Sequence, residues 1–235
     1  QWYTTRIHST QLDSLYKPRD SRDKFVMPRV LADLRFALDN IRENDGELQI
    51  NKYVAAAMIS QRLLREGTFL KYHGINADMA RKCLELAKEA CLTVMNSGKY
   101  SLAPDYASLF ASEDLSGNPE VILYKRYIDT KNGHSVLNYN YLQPQTGPSR
   151  DFADAFLASD GLPVYAKDIH FCPKKSEDYV ADRDPRLGLI IRPDKYYIAG
   201  EDVSGAAYSR SGFSLCKYMD RSKEGSNELI YTGNA

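Results

Sequence analysis

Between residues 20 and 96, apolar side chains recur every three or four positions, which is the period of an amphipathic α-helix. A cap at Asp20 or Ser21 starts the pattern, and Pro28 predicts a kink or a late start of the first helix. The pattern predicts three antiparallel helices: from about residue 20 to the Asn44-Asp45-Gly46 stop, from Asn51 to Glu66, and from Asn76 to Asn96, closed by Ser97-Gly98.

After residue 100 the helical period gives way to short, irregular segments. A short helix is expected over residues 104–110, and the run VILYKRYI at 121–128 is the best strand candidate. Residues 187–192 and 213–219 are weaker strand candidates, and residues 129–150 and 194–213 have the Asn, Gly, Ser and Pro content of loops. We therefore expect a mainly α chain, with a scaffold of helical hairpins over 1–100 and a loop-rich region over 101–235.

Two short segments, a turn and a charged cluster, are expected to form a structural corner between the helical half and the irregular half. The turn Asp160-Gly161-Leu162-Pro163 needs the positive φ that glycine adopts easily. The cluster Asp182-Arg183-Asp184-Pro185-Arg186-Leu187 holds two carboxylates and two guanidinium groups, which suit charge-assisted hydrogen bonds. We interpret this region as a structural corner; a catalytic role for its aspartates lacks an accompanying base, nucleophile or metal-spaced histidine.

Composition excludes several classes of function. Lys and Arg number 31 and Asp and Glu also number 31, so no basic surface for nucleic acid is expected. No apolar run reaches the ~18 residues that span a bilayer. Cys83 and Cys91 lie about 12 Å apart along one helix, too far for a disulfide. A Cys172–Cys216 disulfide stays open, with buried thiols as the default.

Signals for catalysis or for a bound cofactor are poor. The sequence has no serine-hydrolase, zinc-protease or phosphate-loop motif, and its four histidines are scattered. Adjacent acids such as Glu113 and Asp114 do not give the two carboxyl groups, about 5–10 Å apart, that face each other across a sugar in glycosidases. We therefore predict a protein that is not an enzyme, without cofactor or metal.

Three ordered segments resemble the SusD/RagB-like proteins. They are the run SGKYSLAPDYASLFASEDLSGNPEVILYKRYI at 97–128, the DGLP turn with the RDPRL block at 160–187, and SGFSLCKYMD at 211–220. Members of that family are surface lipoproteins of the Gram-negative outer membrane that bind glycans. The resemblance implies a tetratricopeptide-like stack of antiparallel helices (the repeat's own sequence signature is absent) beside an irregular, loop-rich region. It also implies that this chain, which begins without Met, is an internal piece of a larger domain.

The same resemblance implies non-catalytic capture of oligosaccharides or polysaccharides and their delivery to a TonB-dependent, SusC-like transporter. The protein would be held at the outer membrane by a lipid anchor that this chain lacks. Alternatives are a peptide-capturing member of the same uptake family and a helical-repeat adaptor.

Sugar rings stack on aromatic side chains edged by hydrogen-bonding groups, and 17 tyrosines suit such a surface, although tyrosine also fills cores. Trp2, the only tryptophan, is either a packing residue against the helices or a sugar platform. On composition, the candidate ligand-binding residues are Trp2, Tyr139, Tyr141, Tyr196, Tyr197, Tyr208 and Phe213.

Overall fold

The computed structural model describes residues 2–16, 18–112, 114–128, 131, 133, 147–171, 173, 176–192 and 211–218. Within these ranges the chain is mainly helical, as predicted, and none of the described helices is long and apolar enough to cross a bilayer. The chain divides into two units: residues 1–102 with 119–124, and residues 103–118 with 125–235.

Three helices build the first unit: α1 (Met27–Asn40), α2 (Lys52–Tyr72) and α3 (Ala77–Met95). Asn51 and Asn76 cap α2 and α3 through their side-chain oxygens, as the sequence predicts. Ser21 caps one π-helical turn, Arg22–Val26, and α1 follows with Pro28 in its first turn. The late start expected at Pro28 is therefore confirmed.

The three helices run antiparallel, as contacts at their ends show. Near the start of α1, Arg22 pairs with Glu66 near the end of α2, and the Lys52 N–H donates to the Arg42 carbonyl at 2.8 Å. Farther along α1, Arg35 Nη2 donates to Glu89 Oε2 of α3 at 2.6 Å. The core is filled by Met27, Leu38, Ala56, Ile59, Leu63, Leu70, Met79, Ala80, Cys83, Leu86, Ala87 and Ala90. Burial among these side chains raises the pKa of the Cys83 thiol to about 11.

The predicted end of α2 at Glu66 is wrong, because the helix continues for six residues through Gly67. This glycine is buried where α3 crosses most closely. A Cβ on Gly67 would lie 2.7 Å from Leu84 Cγ and 3.1 Å from the Ala80 carbonyl oxygen. Glycine in this position permits close packing of the two helices and does not end the helix.

The described part of the second unit contains five short helices: α4 (Tyr106–Ala111), α5 (Arg150–Asp154), α6 (Val164–Lys167), α7 (Ser176–Val180) and α8 (Arg186–Ile190). Asp105 caps α4, which confirms the short helix expected there. The core of this unit contains Ala153, Tyr179, Leu187, Ile190, Ile191 and Phe213.

The strand predictions are wrong where the structure describes them. Residues 121–127 are not in a strand, and Ile128 at the end of the predicted run forms only a bridge. Residues 186–190 form α8, and Leu187, Ile190 and the C-cap residue Ile191 are buried in the core with the i, i+3, i+4 spacing of a helix. Of residues 213–218, only Leu215 forms an isolated bridge, with Ile191.

The predicted turn and corner lie against each other and form one joint. The Ser159 N–H donates to the Asp182 carbonyl at 2.8 Å, and the Asp184 N–H donates to the Leu157 carbonyl at 2.9 Å. Gly161 has φ +82° and Asp182 has φ +53°, so both segments use the left-handed conformation that tight turns require. The structural corner predicted from the sequence is confirmed.

Arg183 is the buried centre of this corner. Its Nη2 donates to the carbonyl oxygens of Ala153 and Phe156, each at 2.7 Å, at the end of α5. The guanidinium carbon lies 5.5 Å and 5.7 Å from the ring centroids of Phe171 and Tyr179. Burial lowers the pKa of Arg183, while the nearby Asp154 carboxylate acts in the opposite direction. An arginine remains charged under these conditions, so a full charge supports the end of α5.

We predict that Gly67→Ala lowers the free energy of unfolding by about 1–2 kcal/mol, because the added methyl group meets Leu84 and the α3 backbone. Urea unfolding followed by circular dichroism measures this change. Gly188→Ala in α8 is the matched control, since its Cβ meets nothing within 4 Å, and it should be neutral or slightly stabilising. Equal effects of the two substitutions would contradict the close crossing at Gly67.

We also predict that Arg183→Met lowers the free energy of unfolding by about 2–4 kcal/mol, because two carbonyl groups lose a charged donor. Arg186→Met is the control: Arg186 Nε donates to Asp184 Oδ1 at 3.0 Å, but its side chain is 62% exposed, so the loss should stay below about 1 kcal/mol. A loss no larger for Arg183→Met than for Arg186→Met would show that the corner is not held by this side chain.

Candidate functional site

The second unit contains a recess of about 390 Å³ between α5, the end of α8 and residues 214–218. Its described lining is mostly apolar, with two aromatic rings, two hydroxyl groups and one cation. The lining residues are Gly147, Pro148, Ser149, Phe152, Ile190, Leu215, Lys217 and Tyr218. We call this site the aromatic recess.

Phe152 is placed by the two ends of the short helix α5. At its start, Ser149 Oγ accepts a hydrogen bond from the Phe152 N–H at 3.2 Å. At its end, Arg183 holds the carbonyl groups of Ala153 and Phe156. The Phe152 side chain remains 44% exposed and meets the Phe156 ring edge to face, with centroids 5.4 Å apart. The Phe152 ring is thus exposed to solvent on a helix whose two ends are held by hydrogen bonds.

Backbone hydrogen bonds place the opposite wall. The Arg192 N–H donates to the Ser214 carbonyl at 2.8 Å, and the Cys216 N–H donates to the Ile190 carbonyl at 2.7 Å. These bonds align residues 214–216 with the end of α8, so Lys217 and Tyr218 follow at the edge of the recess. The Tyr218 ring packs edge to face on Phe110, with centroids 5.8 Å apart.

Hydrogen bonds to the Asp154 carboxylate stabilise α5. Asp154 accepts hydrogen bonds from the hydroxyl groups of Tyr165 and Tyr179, and Arg150 Nε lies 3.3 Å from its Oδ2. The hydrogen bond to Asp154 raises the pKa of Tyr165, because ionisation would remove the donated proton. Both oxygens of Asp154 are hydrogen-bonded, so we assign this carboxylate a structural role in stabilising the helix that carries Phe152.

The structure corrects one predicted ligand residue and locates another. Phe213 is only 2% exposed and meets Tyr179 edge to face at 5.0 Å in the core, so its ring faces are covered and cannot stack on a sugar. Trp2 is half-buried, and its backbone N–H donates to Asp20 Oδ2 at 2.7 Å. Neither residue lines the aromatic recess.

The other predicted ligand residues lie outside the described residues and stay predictions: Tyr139, Tyr141, Tyr196, Tyr197 and Tyr208. The proposed disulfide is likewise untested, because Cys172 is outside them as well. Cys83 is buried and Cys91 exposed, and no disulfide joins the two.

Phe152, Lys217 and Tyr218 are absent from the predicted ligand residues. Lys217 and Tyr218 lie in the run at 211–220, whereas Phe152 lies between the segments discussed above. The i, i+4 pair Phe152 and Phe156 was the available signal, since such pairs share one helix face. Nothing local distinguishes Lys217-Tyr218 from other surface pairs, because their position depends on the bridge between Leu215 and Ile191.

The aromatic recess offers stacking surfaces, two hydroxyl groups and a positive charge, which is the chemistry of ligand binding. In the parts of the chain described above, no group of three or more His, Cys, Asp or Glu side chains could hold a metal ion. Comparison with models of protein families, with curated proteins and with solved structures found no match to this chain.

Proposed function

We propose that the chain captures oligosaccharides without cleaving them, and that the aromatic recess contributes to the binding surface. The observation that carries this proposal is the exposed Phe152 ring, which lines a concave site together with Tyr218 and Ser149. A pyranose ring has an apolar C–H face that rests on an aromatic plane, and its hydroxyl edge needs hydrogen-bonding partners.

The size of the recess fits this role. About 390 Å³ lies in the range of small-molecule sites and accommodates one or two sugar rings, with the remainder of a chain extending outside. Contacts of this kind contribute little each, so the expected affinity is modest, about 4–6 kcal/mol in binding free energy. Modest affinity suits a protein that must release its ligand to a transporter.

The resemblance to SusD/RagB-like proteins supplies the setting of the proposal. The chain would belong to a surface-exposed lipoprotein of the outer membrane and would pass its ligand to a TonB-dependent, SusC-like transporter. The antiparallel helices α1 to α3 would be part of a tetratricopeptide-like stack that serves as scaffold. The Ser159–Asp182 and Leu157–Asp184 hydrogen bonds support this assignment, because they join the DGLP turn to the RDPRL block, the two motifs of one of the three segments that carry the resemblance.

Peptide capture is the second candidate function. The apolar lining from Pro148, Ile190 and Leu215 also suits an apolar side chain of an extended peptide. A panel of oligosaccharides and oligopeptides distinguishes the two functions, since saturable binding of peptides without any response to sugars would favour the alternative.

We predict that Phe152→Ala and Tyr218→Ala each weaken oligosaccharide binding about fivefold, because each removes a stacking surface that contributes roughly 1 kcal/mol. Isothermal titration calorimetry with the best ligand of a neutral and acidic oligosaccharide panel measures the change. Phe36→Ala is the matched control: Phe36 is 69% exposed on α1, in the first unit, and its loss should leave affinity unchanged. Unchanged affinity in both recess variants would place the sugar elsewhere.

A further inference from the structure

Lys217 occupies an unusual position at the edge of the aromatic recess. Its ammonium nitrogen lies 3.9 Å from the centroid of the Phe110 ring and 5.8 Å and 5.7 Å from those of Tyr106 and Tyr218. Three electron-rich ring faces therefore surround one cation and displace part of its hydration shell. The rings hold the ammonium group in a fixed place while the side chain still lines the recess.

Among the described residues that line the recess, Lys217 is the only charged one. In the described part of this unit, Asp184 pairs with Arg186, and Asp154 binds Arg150 and two tyrosine hydroxyl groups. No described carboxylate forms an ion pair with Lys217. The recess thus contains one positively charged ammonium group, and none of the described lining residues is an acid that could neutralise it.

Ring contacts alone compensate only part of the lost hydration of an ammonium group. A carboxylate that enters the recess would complete the solvation of Lys217, and the apolar walls would strengthen the attraction by lowering the local dielectric constant. A hexuronic acid combines this carboxylate with the same C–H face that stacks on aromatic rings. Phe152 and Tyr218 would receive the ring, and Lys217 would receive the acid group on its edge.

We propose that the aromatic recess selects acidic oligosaccharides, whose uronic acid carboxylate pairs with Lys217. This inference rests on the proposed function and adds to it the chemical class of the ligand and the residue that determines specificity. It explains why a site of mostly apolar lining carries a cation that no described acid neutralises.

The test is a calorimetric titration of the full chain with trigalacturonic acid and with neutral α-1,4-linked galactotriose, which differ in the carboxylate groups. At low salt the wild-type protein should bind the acidic trisaccharide roughly fivefold more tightly, the ratio expected for one partly exposed ion pair. Added sodium chloride should reduce this ratio, since salt screens the pair. Lys217→Gln should bring the ratio close to one, and Lys217→Arg should preserve a preference for the acid.

Lys99→Gln is the matched control, because Lys99 also stacks on a tyrosine, with its nitrogen 4.6 Å from the Tyr53 ring, but lies in the first unit. It should leave the ratio unchanged, and circular dichroism melting verifies that each variant is folded. Equal binding of both sugars by the wild type, or a ratio unaffected by Lys217→Gln, overturns the inference while the proposed function stands. Absence of saturable binding to either sugar and to the wider panel overturns the proposed function together with the inference.

Discussion

A buried guanidinium group is the constraint on which the second unit depends. Arg183 is 6% exposed and gives two hydrogen bonds to carbonyl oxygens at the end of α5. Transfer of a charge into a protein interior is costly unless the surrounding groups solvate it. Here two carbonyl oxygens bind Nη2 and two aromatic rings lie near the guanidinium group, so the charge and the helix end stabilise each other. Nε and Nη1 of Arg183 are buried without a hydrogen-bond partner among the described residues, so this solvation is incomplete. Removal of either leaves the other without its partner.

The geometry of the candidate site depends on this buried arginine through a few contacts. Arg183 fixes the end of α5, Ser149 fixes its start, and between them Phe152 is held with almost half of its surface exposed. Residues 214–216, bonded to the end of α8, place Lys217 and Tyr218 on the other side. The site therefore consists of side chains from three distant segments, and its shape depends on the joint between the turn at residues 158–162 and the corner at 182–184.

Much of the first unit could be predicted from the sequence because its structure is determined locally. Asn51 and Asn76 cap helices through their own side chains, and most buried residues of α3 recur at the helical period of the sequence, although Cys91 and Met95 at the same period are exposed. The failure at Gly67 has a tertiary cause: only the proximity of Leu84 explains why glycine lies inside a helix. In the second unit, the turn at Gly161 and the corner were predictable for the same local reason, since glycine and proline restrict the backbone directly.

The candidate site was much less predictable, because its residues are selected by packing between segments. Phe213 has the composition of a ligand residue but lies in the core against Tyr179, while Phe152, with the same side chain, faces solvent. The apolar run at 187–191 was mistaken for a strand, although its buried positions have helical spacing. Short apolar runs fit both periods, and their neighbours in three dimensions decide between them.

The central claim is that Arg183 and α5 present Phe152 as one wall of a sugar-binding recess. The most direct measurement is a crystal structure of the full chain with a bound oligosaccharide. The account predicts a pyranose ring stacked on Phe152 or Tyr218, with Arg183 still bonded to the carbonyl groups of Ala153 and Phe156. A sugar bound entirely away from the recess, or Phe152 turned into the core with the recess closed, would contradict it.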